Sequence, residues 1–245
     1  MRKQSCLALA VLGLFLSMVP AKADYPSTVL ADSPIAYYRL GESSGGIAVD
    51  SSGSGLNGLY FGGYTQGVSG AIANDSDTAV SFDGASSHIR VLSAVGDDFS
   101  VELWMNTTTD SLFGAQGYQG TGLVWSDVPG TANDWIVAYL NDVACFFTGN
   151  PDDSIIGMTP LNDGNWHHIV ATRVKGGDKN LYVDGNLEAN GTTNGNTLMG
   201  NPVIEIGGNT LDRRYFAGSL DEVAFYSAAL TPNQVLTHYK AGIGP

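Results

Sequence analysis

Oxygen-bearing side chains are the residues of this sequence whose types suit a chemical role, the binding of a hard cation. The loop Asp50–Gly58 supplies carboxylate, amide and hydroxyl oxygens, which calcium takes as ligands. Asp221 stands in an apolar run, where a buried carboxylate needs a partner. In the alternative, Asp50 and Asn57 cap turns and Asp221 accepts backbone N–H groups, because their spacing is no dedicated metal motif. Calcium is therefore the one cofactor that the sequence suggests.

A catalytic pattern of acidic residues is missing. A glycan hydrolase places two carboxylates at a fixed separation, which on one strand requires acidic residues at alternating positions. Glu102 is followed by Leu103 and Trp104, whereas the adjacent Asp221 and Glu222 point to opposite faces of a strand. Ser-His-Asp chemistry needs a nucleophile on a sharp elbow, and the loop serines here are typical of turns. The sequence therefore predicts a binding protein and not an enzyme, with a glycan hydrolase as the least favoured alternative.

The four histidines do not suggest a second metal site. His167 and His168 are adjacent on a predicted strand, so they point to opposite faces and cannot hold one ion together. His88 and His238 have no partner nearby in sequence. We expect all four to pack or to form hydrogen bonds.

Aromatic rings beside polar groups would suit a sugar-binding surface. The aromatic residues in predicted loops or at the ends of predicted strands are Tyr60, Phe61, Tyr64, Tyr118, Trp125, Trp135 and Tyr215, with Arg213 and Arg214 close to the last. For any single one, packing in the core is the simpler explanation. Tyr118 is favoured because its glycine and glutamine neighbours give it nothing to pack on. The candidate ligand-binding residues are Tyr118, Tyr64, Trp125, Tyr215 and Arg213.

Short apolar runs between clusters of Gly, Ser, Asn and Asp predict many short strands. The predicted strands are Ile35–Leu40, Ala79–Phe82, His88–Leu92, Phe99–Met105, Gly122–Trp125, Trp135–Leu140, Val143–Thr148, Trp166–Val174, Leu181–Val183, Val203–Ile206 and Phe216–Tyr226. Asn141-Asp142 and Asp184-Gly185 suit the positive-φ turns that reverse a strand tightly. The fold class that follows is all-β, an antiparallel sandwich or jelly roll.

Alternation along two strands predicts which side chains meet the core. The core-facing sets are Phe99, Val101, Leu103 and Met105 in one strand and Asp221, Val223 and Phe225 in the last. The opposite sets are Glu102 and Trp104, towards solvent or a groove, and Leu220, Glu222 and Tyr226. One short helix is predicted after Thr231-Pro232-Asn233-Gln234, a capping residue, a first-turn proline and a Gln at the third position, and Gly242 ends it.

The first residues predict export. Arg2 and Lys3 precede the apolar run Leu7–Pro20, and Ala21-Lys22-Ala23 offers small residues for cleavage. The run is shorter than the roughly 20 residues that span a membrane. We therefore expect a signal peptide over residues 1–23 and one domain over residues 24–245, secreted to the extracellular space or the periplasm.

The charge of the chain excludes some partners. The sequence has 24 acidic and 11 basic residues, a formal net charge of −13. Removing Arg2, Lys3 and Lys22 with the signal leaves 8 basic residues and a net charge of −16. So acidic a surface repels nucleic acid and anionic membranes and is compatible with neutral glycans and cations. Cys145 alone remains after cleavage, so an intrachain disulfide is not expected.

Several sequence motifs resemble those of laminin G-like and pentraxin-like jelly rolls in the concanavalin A-like lectin and glucanase superfamily. These motifs, in chain order, are Ser33–Glu42, Asp50–Gly58, Val80–Gly84, Ser100–Trp104, Trp166–Gly185 and Gly218–Thr231. Six motifs in the family's order indicate the fold strongly and the ligand weakly, because one sandwich hosts many functions. Related sandwiches often tie an early loop to the closing strand with calcium, which makes Asp50, Asn57 and Asp221 the candidate metal ligands.

Together, the residues and the resemblance predict a secreted, non-catalytic binding module with a concanavalin A-like sandwich and a short C-terminal helix. A polysaccharide or glycoconjugate is the expected ligand. The alternative is a structural or adhesion module that binds an extracellular protein.

Overall fold

The computed structural model describes residues 24–130 and 132–244 and shows a two-sheet β-sandwich. The strands in chain order are β1 (Ala36–Tyr38), β2 (Ile47–Ala48), β3 (Gly58–Phe61), β4 (Thr65–Ser69), β5 (Thr78–Asp83), β6 (His88–Leu92), β7 (Phe99–Asn106), β8 (Thr121–Ser126), β9 (Trp135–Leu140), β10 (Val143–Thr148), β11 (Asp153–Ile156), β12 (Trp166–Arg173), β13 (Asp178–Val183), β14 (Asn186–Thr192), β15 (Val203–Ile206) and β16 (Ala217–Tyr226). The helices are α1 (Tyr25–Ala31) and α2 (Pro232–Gly242), with a 3-10 turn at Gly117–Gln119. The predicted signal peptide, residues 1–23, lies outside the described residues.

The strands form two antiparallel sheets. Sheet A has the order β14-β13-β12-β7-β16-β5-β4, and β1 also pairs with β16. Sheet B has the order β11-β10-β9-β8-β15-β6-β3-β2. The inward side chains of both sheets make the main core, with Leu103, Val137, Phe146 and Ile169 among its fully buried members. This architecture confirms the predicted sandwich.

Two type I′-like turns close hairpins where they were predicted. Asn141 and Asp142 both have positive φ, at 54° and 62°, and join the paired residues Leu140 and Val143. Asp184 and Gly185, at 51° and 75°, join β13 to β14 in the same way. Asn, Asp and Gly tolerate this left-handed backbone better than other residues, so the sequence places these turns by local chemistry.

A second apolar layer covers the outer face of sheet A. Both helices pack there, and the buried residues of this layer include Tyr25, Val29, Trp104 and Val235. Helix α2 begins as predicted, because Thr231 Oγ1 accepts from Gln234 N and Gln234 Oε1 accepts from Thr231 N at 2.9 Å. Among the described residues, no helix has both the length and the apolar character needed to cross a bilayer.

A bulge in β16 makes the alternation prediction for Asp221 wrong. The pairing with β7 shifts between Asp221 and Ala224, and Glu222 has a φ of 54°. As a result, Leu220 and Val223 both face the main core. Asp221 is buried, but it lies against Ala71, next to the outer layer of sheet A.

Candidate functional site

The outer face of sheet B brings an arginine, a glutamate and a tryptophan into one line. Glu205 on β15 lies opposite Arg90 on β6 and opposite Trp125 on β8. Residues directly opposite each other in an antiparallel pair have side chains on the same face. Trp125 packs with Ile136 and other side chains in an apolar cluster outside the main core. The line therefore lies on the outer face.

Glu205 is held by three donors. Arg90 Nε lies 3.0 Å from its Oε1, Thr210 Oγ1 donates to Oε1 at 2.7 Å, and Thr210 N donates to Oε2 at 2.7 Å. Bonds to a carboxylate are stronger than neutral ones, so this arrangement fixes both the carboxylate and the start of the following loop. The loop is thereby anchored above the sheet.

That loop, residues 209–214 (the 209–214 loop), is a compact hairpin between β15 and β16. Asn209 and Arg214 exchange backbone hydrogen bonds at 3.1 and 3.0 Å. The buried Asn209 side chain accepts from the backbone N–H groups of Leu211 and Asp212 at 2.9 and 3.2 Å. The loop is ordered by its own hydrogen bonds, and three cavities lie around it.

The first cavity, which we call the Trp125 cavity, has a volume of about 330 Å³. Trp125 lines it with only 4% of its surface exposed, and its indole N–H has no hydrogen-bond acceptor among the described residues. Val203 and Leu211 add apolar surface, and the polar lining includes Asn201 and Thr210. Arg90, Asp127, Glu205 and Asn209 complete the polar lining. Such a mixture of one aromatic residue with donors and acceptors suits a hydroxyl-rich ligand.

The second cavity is acidic and shares Asp127 and Pro129 with the first. It has a volume of about 200 Å³ and is lined by Tyr118 and by Asp127, Asp134, Asp152 and Asp212. Burial, followed by a hydrogen bond and charge repulsion from Asp127, raises the pKa of Asp134 to about 7. The prediction that Tyr118 has nothing to pack on is wrong, since its ring meets Phe147 edge to face at 5.4 Å.

The third cavity, the Arg213 cavity, has a volume of about 230 Å³ on the other side of the 209–214 loop. Arg213, Arg214 and Tyr215 line it, together with Tyr139. Four of the five candidate ligand-binding residues therefore line cavities around one loop. Tyr64 does not: its ring stacks on Tyr60 at 4.7 Å, and it lines none of these three cavities.

Sequence reasoning placed Tyr60 and Phe61 in a loop, whereas the structure places them in β3. Trp125 in β8 and Trp135 in β9 lie in strands as predicted, and Trp135 belongs to the main core. The cavity residues Asn201, Glu205 and Thr210 were not predicted at all. The register of β8 and β15 places Glu205 opposite Trp125, Thr210 donates to Glu205, and Asn201 N donates to the carbonyl of Ser126 beside Trp125. These contacts join segments that are far apart in sequence.

The candidate metal ligands lie in two separate settings. Asp50 accepts from the backbone N–H groups of Tyr37, Ser52 and Leu56 at 2.9 to 3.0 Å, and Asn57 Oδ1 accepts from Asp50 N at 2.9 Å. These bonds match the alternative in which Asp50 and Asn57 cap turns. Asp221 Oδ2 accepts from Ala71 N at 2.8 Å, while its Oδ1 has no partner among the residues that the structure describes.

The three residues do not fit one metal site as they stand. Burial first, and then the neighbouring Glu222, raise the pKa of Asp221 well above its ordinary value. The described part of the chain contains no group of three or more His, Cys, Asp or Glu side chains that could hold a metal ion. Calcium binding stays a prediction.

A buried polar cluster that the sequence did not reveal surrounds Glu102. Its carboxylate is fully buried and accepts from Tyr25 and Tyr226 at 2.8 and 2.7 Å. His168 Nε2 lies 2.7 Å away and His238 Nδ1 2.9 Å away. Burial alone would raise the pKa of Glu102, but these two histidines hold it well below its ordinary value. The prediction that Glu102 and Trp104 face solvent or a groove is wrong, because both helices cover them.

One loop serine, Ser43, lies in a sequence with the spacing of a hydrolase nucleophile. Gly41-Glu42-Ser43-Ser44-Gly45 has the Gly-x-Ser-x-Gly spacing of hydrolase nucleophiles. In the structure this segment is a largely exposed loop that leads into strand β2 and not into a helix. It therefore lacks the strand-to-helix elbow on which that chemistry depends.

Comparison with known proteins agrees with this fold. The neuronal pentraxin receptor of Rattus norvegicus is 28% identical over 165 residues, which cover 61% of this chain and 31% of the receptor. The chain thus spans about a third of the length of that relative.

Solved structures share the fold at low identity. The binding domain of botulinum neurotoxin DC in complex with SialylT superposes with a TM-score of 0.66 at 13% identity, over 86% of this chain and 52% of that one. The binding domain of Paraclostridial mosquitocidal protein 1 gives 0.66 at 16%, with the same coverage. Domain 4 of AbnA, an extracellular arabinanase from Geobacillus stearothermophilus in complex with arabinotriose, gives 0.61 at 20%, over 85% of this chain and 98% of that domain.

A laminin G family model matches residues 74–236, about two thirds of the sequence. The match runs from the segment before β5 into α2, so it includes the strands that carry Arg90, Trp125 and Glu205. The chain belongs to the concanavalin A-like lectin/glucanases superfamily.

Proposed function

We propose that this protein is a secreted, non-catalytic carbohydrate-binding module that holds a glycan in the Trp125 cavity. The observation that carries the proposal is Trp125 itself, a buried ring at a cavity wall whose indole N–H has no acceptor within the described residues. A buried donor without a partner costs free energy, and a ligand oxygen would remove that cost.

The lining supports a sugar as the ligand. A sugar ring presents C–H groups to an aromatic side chain and hydroxyl groups to polar ones, and Asp127, Asn201 and Thr210 supply both acceptors and donors. The volume of about 330 Å³ is at the lower end of the range for small-molecule sites. Such a cavity suits one or two sugar residues of a longer glycan, with the remainder outside it.

The likeness to two sugar-bound structures supports the same proposal. The neurotoxin binding domain was solved in complex with SialylT, and the arabinanase domain in complex with arabinotriose. Their identities of 13% and 20% speak for the fold alone, so the proposal for this chain depends on its own cavity.

Glycan-array screening followed by calorimetry tests the proposal. We expect saturable binding to at least one glycan, weakened at least about tenfold by Trp125→Phe, which keeps an aromatic ring but removes the N–H donor. Asn201→Ala, at a partly exposed position, provides a second cavity variant with less risk to folding. Phe113→Ala is the matched control, because Phe113 is 75% exposed and lines none of the three cavities.

Silence of the array, or equal binding by the cavity variants and the control, would contradict the proposal. The absence of binding to any glycan on the array would favour the alternative, a module that binds an extracellular protein. The adjacent Leu112 and Phe113, 45% and 75% exposed, are the surface feature that best suits a protein partner. The neuronal pentraxin receptor likeness is compatible with that alternative.

A further inference from the structure

The Arg213 cavity differs from the other two cavities in its charge. Its lining contains Arg213, Arg214 and a single acid, Asp110, for a formal charge of +1. The lining of the Trp125 cavity is −1 and that of the acidic cavity is −4. A cavity with a positive lining is therefore unusual in a chain with a net charge of −13.

The two arginines of this cavity have no acidic partner. No carboxylate lies within ion-pair distance of Arg213 or Arg214 in the described part of the chain, although the sequence holds 24 acidic residues. Arg214 donates to the backbone carbonyl of Tyr118, whereas Arg213 is exposed and makes no hydrogen bond within the described residues. By contrast, Arg39 contacts three carboxylates and Arg90 contacts Glu205.

The remaining lining leaves this positive charge available to a ligand. Asp110 Oδ1 already accepts a hydrogen bond from Asn162 at 2.9 Å. Tyr139 is buried and its hydroxyl donates to the carbonyl of Thr109 at 3.0 Å. Tyr215, half-buried beside the arginines, offers a ring face. The cavity therefore combines the free guanidinium group of Arg213 and that of Arg214, which donates to a backbone carbonyl, with one partly exposed aromatic ring.

A guanidinium group is planar and pairs with a carboxylate through two parallel N–H···O bonds. The ring of Tyr215 suits the apolar face of a sugar. The overall negative charge opposes a polyanion, because the long-range field of the molecule repels it. These three features select a sugar with a single carboxylate, as at the end of an otherwise neutral glycan.

We propose that the Arg213 cavity is a second subsite, which binds the carboxylate of an acidic sugar residue. The inference rests on the proposed function, since it assumes that glycans bind around the 209–214 loop. It adds a ligand class that neither the sequence prediction nor the Trp125 cavity specifies. Arg213 would be the specificity-determining residue and Tyr215 its apolar support.

The test compares matched oligosaccharides by calorimetry: a neutral one, the same one ending in a uronic acid, and the methyl ester of that acid. We expect the uronic acid to bind the wild-type protein about tenfold or more tightly than its ester. Arg213→Ala should remove that difference without changing the affinity for the neutral glycan. Arg213→Lys should restore part of it, since charge returns without the planar fork.

Lys175→Ala is the matched control, because it removes one positive charge elsewhere, from a side chain that contacts Asp97. Trp125→Phe should weaken every ligand and so tests the proposed function separately. Equal binding of acid and ester, an unchanged difference in Arg213→Ala, or a preference for a sulfated sugar would overturn the subsite while leaving glycan binding standing. Absence of all glycan binding would overturn both proposals.

Discussion

At the scale of single residues, the same side-chain types serve different purposes according to their hydrogen bonds. Asp50 and Asp221 were both candidate metal ligands, yet Asp50 accepts three backbone N–H bonds and Asp221 has an unpartnered oxygen. Burial would raise the pKa of Asp50, but hydrogen bonds from the Ser52 side chain and from backbone N–H groups outweigh burial and lower it. A carboxylate so occupied stabilises its loop without any ion.

Replacing Asp50 with Asn distinguishes the turn from the metal site. We expect Asp50→Asn to lower the free energy of unfolding by about 1–3 kcal/mol in EDTA, because backbone donors lose a charged acceptor. Thermal unfolding in EDTA and in calcium provides the measurement. If calcium raises the melting temperature of the wild-type protein but not that of the variant, the predicted site is supported. If the melting temperature of the wild-type protein is the same with and without calcium, the site is contradicted.

Cavity residues could be predicted only in part for a physical reason. Aromatic and arginine residues can be chosen from a sequence as candidate ligand-binding residues by their side-chain type alone. Tyr118, Trp125, Arg213 and Tyr215 were predicted in this way, and each lines one of the cavities. Whether such a ring lies in the core, as Trp135 does, depends on strand register and not on its neighbours in sequence. That information is absent from a local pattern.

At the scale of secondary structure, most runs with β-branched and aromatic residues were predicted, whereas β3 inside sheet B and the edge strands of both sheets were missed. Strands β4 and β14, Thr65–Ser69 and Asn186–Thr192, are mostly polar and lie at the two ends of sheet A. Their conformation comes from pairing with a stronger neighbour, so their own composition indicates little. Helix α1 was also missed, although Asp24 caps it by accepting from Ser27 N at 2.9 Å.

Glu102 is the contact that joins both helices to sheet A. It bonds to Tyr25 in α1 and lies 2.9 Å from His238 in α2, while His238 Nε2 also lies 2.9 Å from Asp32 after α1. Breaking a buried charged pair leaves the remaining group without compensation. Three elements therefore depend on one carboxylate.

We expect Glu102→Gln to lower the free energy of unfolding by about 3–5 kcal/mol, the cost of disrupting a buried ionic cluster. Urea unfolding followed by circular dichroism measures it. Tyr226→Phe is the graded control and should cost only about 1–3 kcal/mol, because it removes one hydrogen bond to the same carboxylate. A Gln variant as stable as the wild-type protein would show that the cluster does not anchor the helices.

At the scale of the whole molecule, net charge and buried acids together set the dependence of stability on pH. Burial followed by the neighbouring Asp127 raises the pKa of Asp134 to about 7, and burial raises that of Glu222 to about 7 despite Tyr37 and Arg39. Between about pH 4 and 7, the folded state keeps Asp134 and Glu222 more protonated than the unfolded state does. Stability therefore falls across that window as the pH rises. The low pKa of Glu102 acts oppositely, but only below about pH 4.5.

We therefore expect the free energy of unfolding to fall from pH 5 to pH 8, with about 1–3 kcal/mol of the change due to Asp134. Asp134→Asn should flatten the curve, because the amide does not titrate. Urea titrations at half-unit pH steps measure this. Asp178→Asn, at an exposed position outside the three cavities, is the control and should leave the slope unchanged. A variant with the wild-type slope would show that Asp134 is not the titrating group.

The placement of both helices on one side of the sandwich has a consequence for how the protein can be tethered. Helix α1 starts one residue after the first described position and α2 ends two residues before the last, and both cover sheet A. The Trp125 cavity lies on the outer face of sheet B. An attachment made beside either helix would therefore leave the opposite face, with the Trp125 cavity, directed away from the point of attachment.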